Sequence, residues 1–158
     1  MSVNVNAQIQ RSFFDLTLGE STRQQVEEKM KSMEKQMDSN QHEIKVHNLN
    51  YADYDWEDVI FGFDEGILFF VSFLSKAFSQ EETDKATQDA ASFYELLKNK
   101  YKDYCVMDQS GIVAFKDANK TMSFFINKKK GALTDRFTIM YTDGSKVSKM
   151  MEKMKGGM

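Results

Sequence analysis

Apolar residues recur at helical spacing in three parts of this chain. The first stripe follows Ser21 and Gln24, whose spacing is that of a capping box, in which each side chain satisfies a free backbone N–H group. A helix is therefore predicted from Ser21 to about Asp38. The apolar positions of this first stripe are Val26, Met30, Met33 and Met37.

Two further helices are predicted downstream. Ser79 and Glu82 form a second capping-box pattern before the second stripe, and Asp143 can cap the third helix. Lysines lie opposite the third stripe, and we expect this basic amphipathic helix to cover an open sheet face rather than to bind a membrane. The two stripes are Ala86, Ala90, Phe93, Leu97 and Tyr101, then Val147, Met150, Met151 and Met154; the lysines are Lys146, Lys149, Lys153 and Lys155.

Alternation of apolar and polar residues predicts strands between these helices. His42–Asn48 is predicted to be an edge strand, and Trp56–Phe63 a further strand. Asp64-Glu65-Gly66 is predicted to be a hairpin turn, because glycine readily takes a positive φ. A central strand is predicted from Ile67 to about Ser75, where both faces are apolar. Four more strands of a meander are predicted at Cys105–Met107, Ile112–Lys116, Met122–Asn127 and Phe137–Thr142, joined by turns at 109–111, 117–119 and 128–131.

The order of elements predicts one α+β domain over residues 13–158. Its antiparallel β-sheet, a meander, would carry two long helices packed on it and a short C-terminal helix. Residues 1–12 show no hydrophobic period and are predicted to be a flexible N-terminal segment. The predicted core positions are Val26, Met30, Val59, Phe69, Val71, Phe93, Leu97, Phe124 and Ile139.

Composition excludes several protein classes. The chain has 158 residues, a net charge of −3 and one cysteine, so no intrachain disulfide can form and bulk charge does not favour nucleic-acid binding. No apolar run reaches the roughly 18 residues that a transmembrane helix needs. Acidic residues outnumber basic ones before residue 116, and the balance reverses after it.

The N-terminus and two later segments suggest an exported bacterial protein. Val5-Asn6-Ala7 before Gln8 has the small-residue ending of a signal-peptide cleavage site, although the preceding apolar core is missing, and an ordinary N-terminus is the alternative. The pattern Phe14-x-Leu16-x-Leu18-Gly19-x-Ser21, followed by Val26, resembles the extended segment that leads into the first helix of small exported bacterial domains. These include the SmpA/OmlA outer-membrane-assembly lipoproteins and proteins with a β-lactamase-inhibitor-like arrangement.

A second resemblance, over Ile67–Phe73 and Phe93–Tyr101, is to uncharacterised secreted proteins of Gram-negative bacteria. In those proteins Lys-Tyr is commonly followed by Gly, whereas Lys102 stands here. The two resemblances cover about half of the chain. They imply a non-enzymatic envelope or secreted binding domain and identify no site residues; the lipidated cysteine of the lipoproteins is not visible.

One acidic and aromatic segment is the candidate binding site. Asp53, Asp55 and Glu57 are spaced like the first ligands of an EF-hand, but the Gly at the sixth position and the Glu at the twelfth are absent. The carboxylates could also form a glycosidase pair, or the segment could be a recognition loop for a basic partner. The alternative is a solvated loop whose aromatic residues pack into the core. The candidate residues are Tyr51, Asp53, Tyr54, Asp55, Trp56, Glu57 and Asp58.

Other reactive residues give no catalytic or metal-binding pattern. His42 and His47 are five residues apart, a spacing that does not favour a shared metal. Cys105 is expected to be a buried structural thiol, because no base or electropositive setting can be placed beside it. No phosphate-binding loop, nucleophile elbow or His-Glu-x-x-His motif is present. No cofactor and no metal are therefore predicted.

Three functional hypotheses follow from these patterns. The first is a non-enzymatic binding domain for an unknown protein partner, exported to the periplasm or the medium, in which Trp56→Ala would weaken binding with little loss of stability. The second is a cytoplasmic acidic inhibitor of the immunity-protein type, directed at a basic partner. The third is a small hydrolase that uses the acidic cluster Asp53–Asp58. The oligomeric state is left open.

Overall fold

The computed structural model describes residues 8–79, 85–109, 112–126 and 134–156. Three α-helices and twelve strands lie within these ranges, with a short 3₁₀ turn at Lys102–Tyr104. The helices are α1 (Arg23–Ser32), α2 (Lys85–Lys100) and α3 (Gly144–Gly156). The strands are β1 (Ser12–Phe13), β2 (Leu16–Thr17), β3 (Met37–Ser39), β4 (Glu43–Tyr51), β5 (Tyr54–Asp64), β6 (Ile67–Leu74), β7 (Phe78–Ser79), β8 (Cys105–Gln109), β9 (Ile112–Lys116), β10 (Thr121–Ile126), β11 (Thr134–Asp135) and β12 (Thr138–Asp143).

Eight of these strands form one antiparallel sheet in the order β3-β4-β5-β6-β12-β10-β9-β8. The predicted meander is confirmed as β8-β9-β10-β12, and the predicted central strand is confirmed as β6. His42–Asn48 was expected at the edge, but β4 lies inside the sheet and β3 forms that edge. The remaining strands make two small two-stranded ribbons, β1-β2 and β7-β11.

The predicted α+β class with two long helices is wrong, because the fold is dominated by its sheet. Strand accounts for 46% and helix for 28% of the structure. The expected long first helix has only 10 residues, whereas the C-terminal helix, expected to be short, has 13. Helices α2 and α3 flank a sheet that holds most of the core, so the architecture is set by strand pairing.

The first helix ends early through a turn that contains no glycine. Glu34 takes a left-handed φ of +58°, and Lys35 N–H donates to the carbonyl of Met30 at 3.0 Å, which is the Schellman arrangement that closes a helix. Glycine usually fills this left-handed position, so its absence hides the end of the helix. Met37, the last apolar position of the predicted stripe, pairs in strand β3 instead. The capping box is present one residue later than predicted, between Thr22 and Gln25.

The core lies mainly where the alternating pattern places it. Val26, Met30, Val59, Val71, Leu97 and Ile139 are buried as predicted. Phe69 and Phe93 are only half-buried, and the side chain of Phe124 lies outside the described part of the structure. Also outside it are residues 80–84, 110–111 and 127–133, which include Glu82 of the predicted second capping box, most of one turn and one hairpin loop. Ser79, the other residue of that capping box, pairs in strand β7.

Residues 8–12 pack against the domain, unlike the flexible segment predicted there, and residues 1–7 of that predicted segment lie outside the described part of the structure. Ile9 is 1% exposed, and its N–H donates to Asp117 Oδ2 at 2.9 Å. The Arg11 guanidinium donates to the carbonyl of Leu18 at 2.9 Å and pairs with Asp143 at 3.3 Å. These contacts join the start of the domain to the turn before β10 and to the end of β12.

Candidate functional site

The acidic and aromatic segment forms a tight hairpin rather than a loop. Tyr51 and Tyr54 are paired across β4 and β5, and Ala52 and Asp53 between them have φ values of 56° and 62°. Two successive left-handed residues make a type I′ turn, the turn whose twist matches that of the flanking strands. The Asp53 carboxylate is therefore presented at the tip of a stiff two-residue connection.

The aromatic residues of the segment face the core. Trp56 is 1% exposed, and its indole N–H donates to the carbonyl of Tyr51 at 3.1 Å. Its ring centroid lies 5.3 Å from that of Phe73 and 5.5 Å from that of Phe93. Trp56 is therefore a structural residue, and we expect its replacement to lower stability rather than to affect binding alone.

Three acidic residues of the segment bond to three different partners. Asp55 accepts a hydrogen bond from the Asn50 amide at 2.8 Å, and Glu57 pairs with Arg136. Asp58 bonds to His47 on the sheet. Among the described residues, no group of three His, Cys, Asp or Glu side chains is arranged to hold a metal. The carboxylates of the segment therefore bond to separate partners and do not form a calcium site among the described residues.

His47 lies between two carboxylates on an exposed face of the sheet. Its Nδ1 is 2.5 Å from Asp58 Oδ1 on β5, and its Nε2 is 2.6 Å from Asp38 Oδ2 on β3. The hydrogen bond to Asp38, which has the larger effect, and the hydrogen bond to Asp58 raise the pKa of His47 above its ordinary value of 6.5. The imidazolium thereby ties the edge strand β3 to β4 and β5. His42, the other histidine, lies apart from this cluster, beside Arg23 and Phe63.

The His47 cluster predicts a pH-dependent stability. Because the folded-state pKa lies above the unfolded-state value of 6.5, protonation of His47 stabilises the fold fully below that pH. This stabilisation is lost as the pH rises through the folded-state pKa. We expect the difference in unfolding free energy between the wild type and His47→Gln, measured by urea denaturation, to shrink from pH 6 towards pH 9. Asp38→Asn should reduce the same pH dependence; a pH-independent difference would contradict the prediction.

A cleft opens between the β4–β5 turn and helix α2. Its volume is about 460 Å³, and Leu96 in its lining is 64% exposed. Burial raises the pKa of the Tyr54 phenol, which therefore stays protonated at neutral pH. The lining residues are Ala52, Asp53 and Tyr54 from the turn and Asp89, Ser92, Phe93 and Leu96 from α2.

Only part of this cleft could be found in the sequence. Asp53 and Tyr54 belong to the predicted binding segment, whereas the sequence predicts the α2 residues only as part of a helix that packs on the sheet. The sequence feature that indicates this part of the cleft is Leu96, which is apolar but lies beside the stripe that contains Phe93 and Leu97. A single exposed apolar residue next to a helical stripe is a common feature, so the pattern alone does not identify the cleft.

Two further expectations concern the second half of the chain. Cys105 was expected to be a buried thiol, but it is exposed, because β8 is the last strand of the sheet. Helix α3 contacts β10 and β12, and Lys146 reaches Asp64 at 3.5 Å, so the C-terminal helix does cover part of the sheet.

No helix in the described ranges has the length and apolar character needed to cross a membrane. Comparison of the chain with protein-family models, with characterised proteins and with solved structures finds no match. The function proposed below therefore rests on the geometry of this chain.

Proposed function

We propose that this protein is a non-enzymatic binding domain that uses the cleft between the β4–β5 turn and α2. The observation that supports this proposal is the 64% exposure of Leu96, beside Phe93, in a cleft that Asp53 and Asp89 also line. Apolar side chains with carboxylates around them suit a protein segment that carries a basic residue next to an apolar one.

The apolar and the acidic side chains of the cleft would contribute to binding in different ways. Burying the apolar surface of Leu96 and Phe93 supplies affinity at about 25 cal/mol per Å² of area removed from water. Asp53 is exposed at the tip of the β4–β5 turn and lines the cleft, so its charge can attract a cation that approaches the cleft. Carboxylates of this kind mainly raise the association rate and select basic partners.

The cleft is held rigid from both sides. The turn is anchored by Trp56, whose ring packs against Phe73 and Phe93. Helix α2 is anchored by Leu97 and Tyr101, which are 7% and 2% exposed. A partner would therefore meet a preformed surface, and little ordering entropy would oppose binding.

The proposed compartment is the periplasm or the extracellular medium. It is supported by the small residues of Val5-Asn6-Ala7 and by the resemblance of the Phe14–Val26 pattern to exported domains. A cytoplasmic inhibitor of a basic protein is the alternative. Cell fractionation followed by N-terminal sequencing separates the two: a mature end near Gln8 in the envelope supports export, and an unprocessed cytoplasmic chain contradicts it.

Selection of displayed random peptides on the immobilised protein tests the binding site. We expect enrichment of peptides with Lys or Arg beside a Leu or an aromatic residue. The double variant Asp53→Lys, Asp89→Lys should weaken their binding by about tenfold or more, and Leu96→Asp should do the same. Raising the salt concentration should slow association to the wild type.

Asp55→Lys is the matched control, because it reverses a charge in the same segment outside the cleft. Its effect on the affinity should be several times smaller than that of the double variant. Selection that enriches no peptide, or peptides that bind Leu96→Asp as tightly as the wild type, would contradict the proposed site.

A further inference from the structure

The cleft between the β4–β5 turn and α2 combines two aromatic rings with two carboxylates. Tyr54 and Phe93 line it and are half-buried, and their ring centroids lie 6.2 Å apart. Both rings pack on the buried Trp56, at 4.6 Å and 5.5 Å between centroids, so the core fixes their positions. Asp53 from the turn and Asp89 from α2 are exposed and line the same cleft. The cleft therefore offers aromatic surface and negative charge to one and the same ligand group.

This combination distinguishes between the two basic side chains of proteins. A guanidinium group is planar and weakly hydrated, so it stacks on an aromatic ring with little loss of hydration, whereas a lysine ammonium is a compact and strongly hydrated charge. The guanidinium also carries five N–H donors in a fixed fork, which can bond to carboxylates on two sides at once. The aliphatic stem of an arginine would pack against Phe93. The chemistry of the cleft therefore favours arginine over lysine.

Arg23 uses the same kinds of partner elsewhere in this chain. Its guanidinium carbon lies 5.4 Å from the centroid of the Phe63 ring, and its Nε pairs with Glu27 at 3.3 Å. Its two terminal nitrogens donate to the carbonyls of Asn40 and Gln41. One guanidinium thus contacts a ring and a carboxylate together, which are the two kinds of group that line the cleft.

We propose that the partner segment inserts an arginine, rather than a lysine, into this cleft, with its guanidinium over the Tyr54 ring and its N–H groups donating to Asp53 and Asp89. This inference rests on the binding function proposed above and names the side chain that the cleft selects. An apolar residue next to that arginine covers Leu96, which is 64% exposed in the unbound protein. Removing the positive charge from the arginine, without a change of shape, should therefore abolish most of the affinity.

Titration of the intact protein with three blocked tripeptides, followed through its amide NMR shifts, tests this selectivity. The tripeptides are Leu-Arg-Leu, Leu-Lys-Leu and Leu-citrulline-Leu, in which citrulline keeps the shape of arginine without its charge. We expect the arginine peptide to bind with a dissociation constant of about 1 mM. The lysine peptide should bind at least about threefold more weakly, and the citrulline peptide at least about tenfold more weakly. The amides of residues 52–54 and 92–96 should shift, whereas those of β8 should not.

Tyr54→Leu removes the ring and should reduce the preference for arginine over lysine to less than about twofold. Tyr54→Phe is the matched control, because it keeps the ring and should keep the preference. Asp53→Asn is a second variant in case Tyr54→Leu fails to fold, since asparagine tolerates the left-handed φ of 62° at this position of the turn. It should weaken binding of the arginine peptide at least about threefold and leave that of the citrulline peptide unchanged.

Three results would overturn this inference. The first is equal affinity for the arginine peptide and for either of the other two, and the second is the lack of any shift with peptide up to about 10 mM. The third is a preference for arginine that Tyr54→Leu and Asp53→Asn leave unchanged. None of them removes the proposed binding function, which fails only if selection enriches no displayed peptide or if the selected peptides bind Leu96→Asp as tightly as the wild type.

Discussion

Replacing Trp56 with Ala is expected to lower the free energy of unfolding by about 3–5 kcal/mol. The indole is 1% exposed and lies among the rings of Tyr54, Phe73 and Phe93, so its removal leaves a cavity at the centre of an aromatic cluster. It also leaves the carbonyl of Tyr51 without the hydrogen bond from the indole N–H group. Urea denaturation followed by circular dichroism measures the loss.

Trp56→Phe is the control for this prediction. It keeps most of the apolar volume and removes the hydrogen bond, so we expect a loss of about 1–2 kcal/mol. If Trp56→Ala costs less than about 1 kcal/mol, the indole cannot be packed as the structure shows. Peptide binding to either variant should be weakened only as far as the hairpin that carries Asp53 is loosened.

The predicted strand Trp56–Phe63 is confirmed within β5, but strand periodicity gives the wrong face for Trp56. Strict alternation from Val59 would place Trp56 on the opposite face of β5, yet both residues are buried. The alternation changes phase at Asn48, which has a φ of +55° and lies opposite Glu57. His47 pairs with Asp58 and Leu49 pairs with Trp56, but Asn48 and Glu57 between them do not pair. This irregularity turns the end of the hairpin inwards, and no glycine marks it.

The same reasoning separates what the chain's pattern could and could not predict. Strands β5, β8, β9, β10 and β12 were predictable from alternation, and β6 from a run of apolar residues on both faces, whereas the short strands β7 and β11 were not predicted. The cleft was not, because it joins the β4–β5 turn to α2 across residues far apart in the chain, and spacing contains no information on such contacts. The pairing of Asp38 with His47 is not predicted for a different reason: the apolar stripe extends the predicted first helix to about Asp38, where the structure has strand β3.

Asp117 gives the second large effect: its replacement with Ala is expected to cost about 3 kcal/mol. Asp117 is 6% exposed, and its carboxylate accepts hydrogen bonds from three backbone N–H groups. Oδ1 accepts from Asn119 at 3.0 Å and from Thr121 at 2.9 Å, and Oδ2 accepts from Ile9 at 2.9 Å. The alanine variant leaves all three donors without this acceptor, so both the turn before β10 and the attachment of residues 8–12 should weaken.

Asp117→Asn separates these two roles. With its amide oxygen in the place of Oδ1, the asparagine still accepts from Asn119 and Thr121, but its NH₂ group then faces the N–H of Ile9 and cannot accept from it. We expect a loss of about 1–2 kcal/mol, together with faster hydrogen exchange at Ile9 and an unchanged rate at Thr121. Equal losses for the two variants, or unchanged exchange at Ile9, would show that the carboxylate does not hold the N-terminal segment. The asparagine variant thus isolates what one buried carboxylate contributes to holding a short segment without any hydrophobic period, which Arg11 also attaches to the domain.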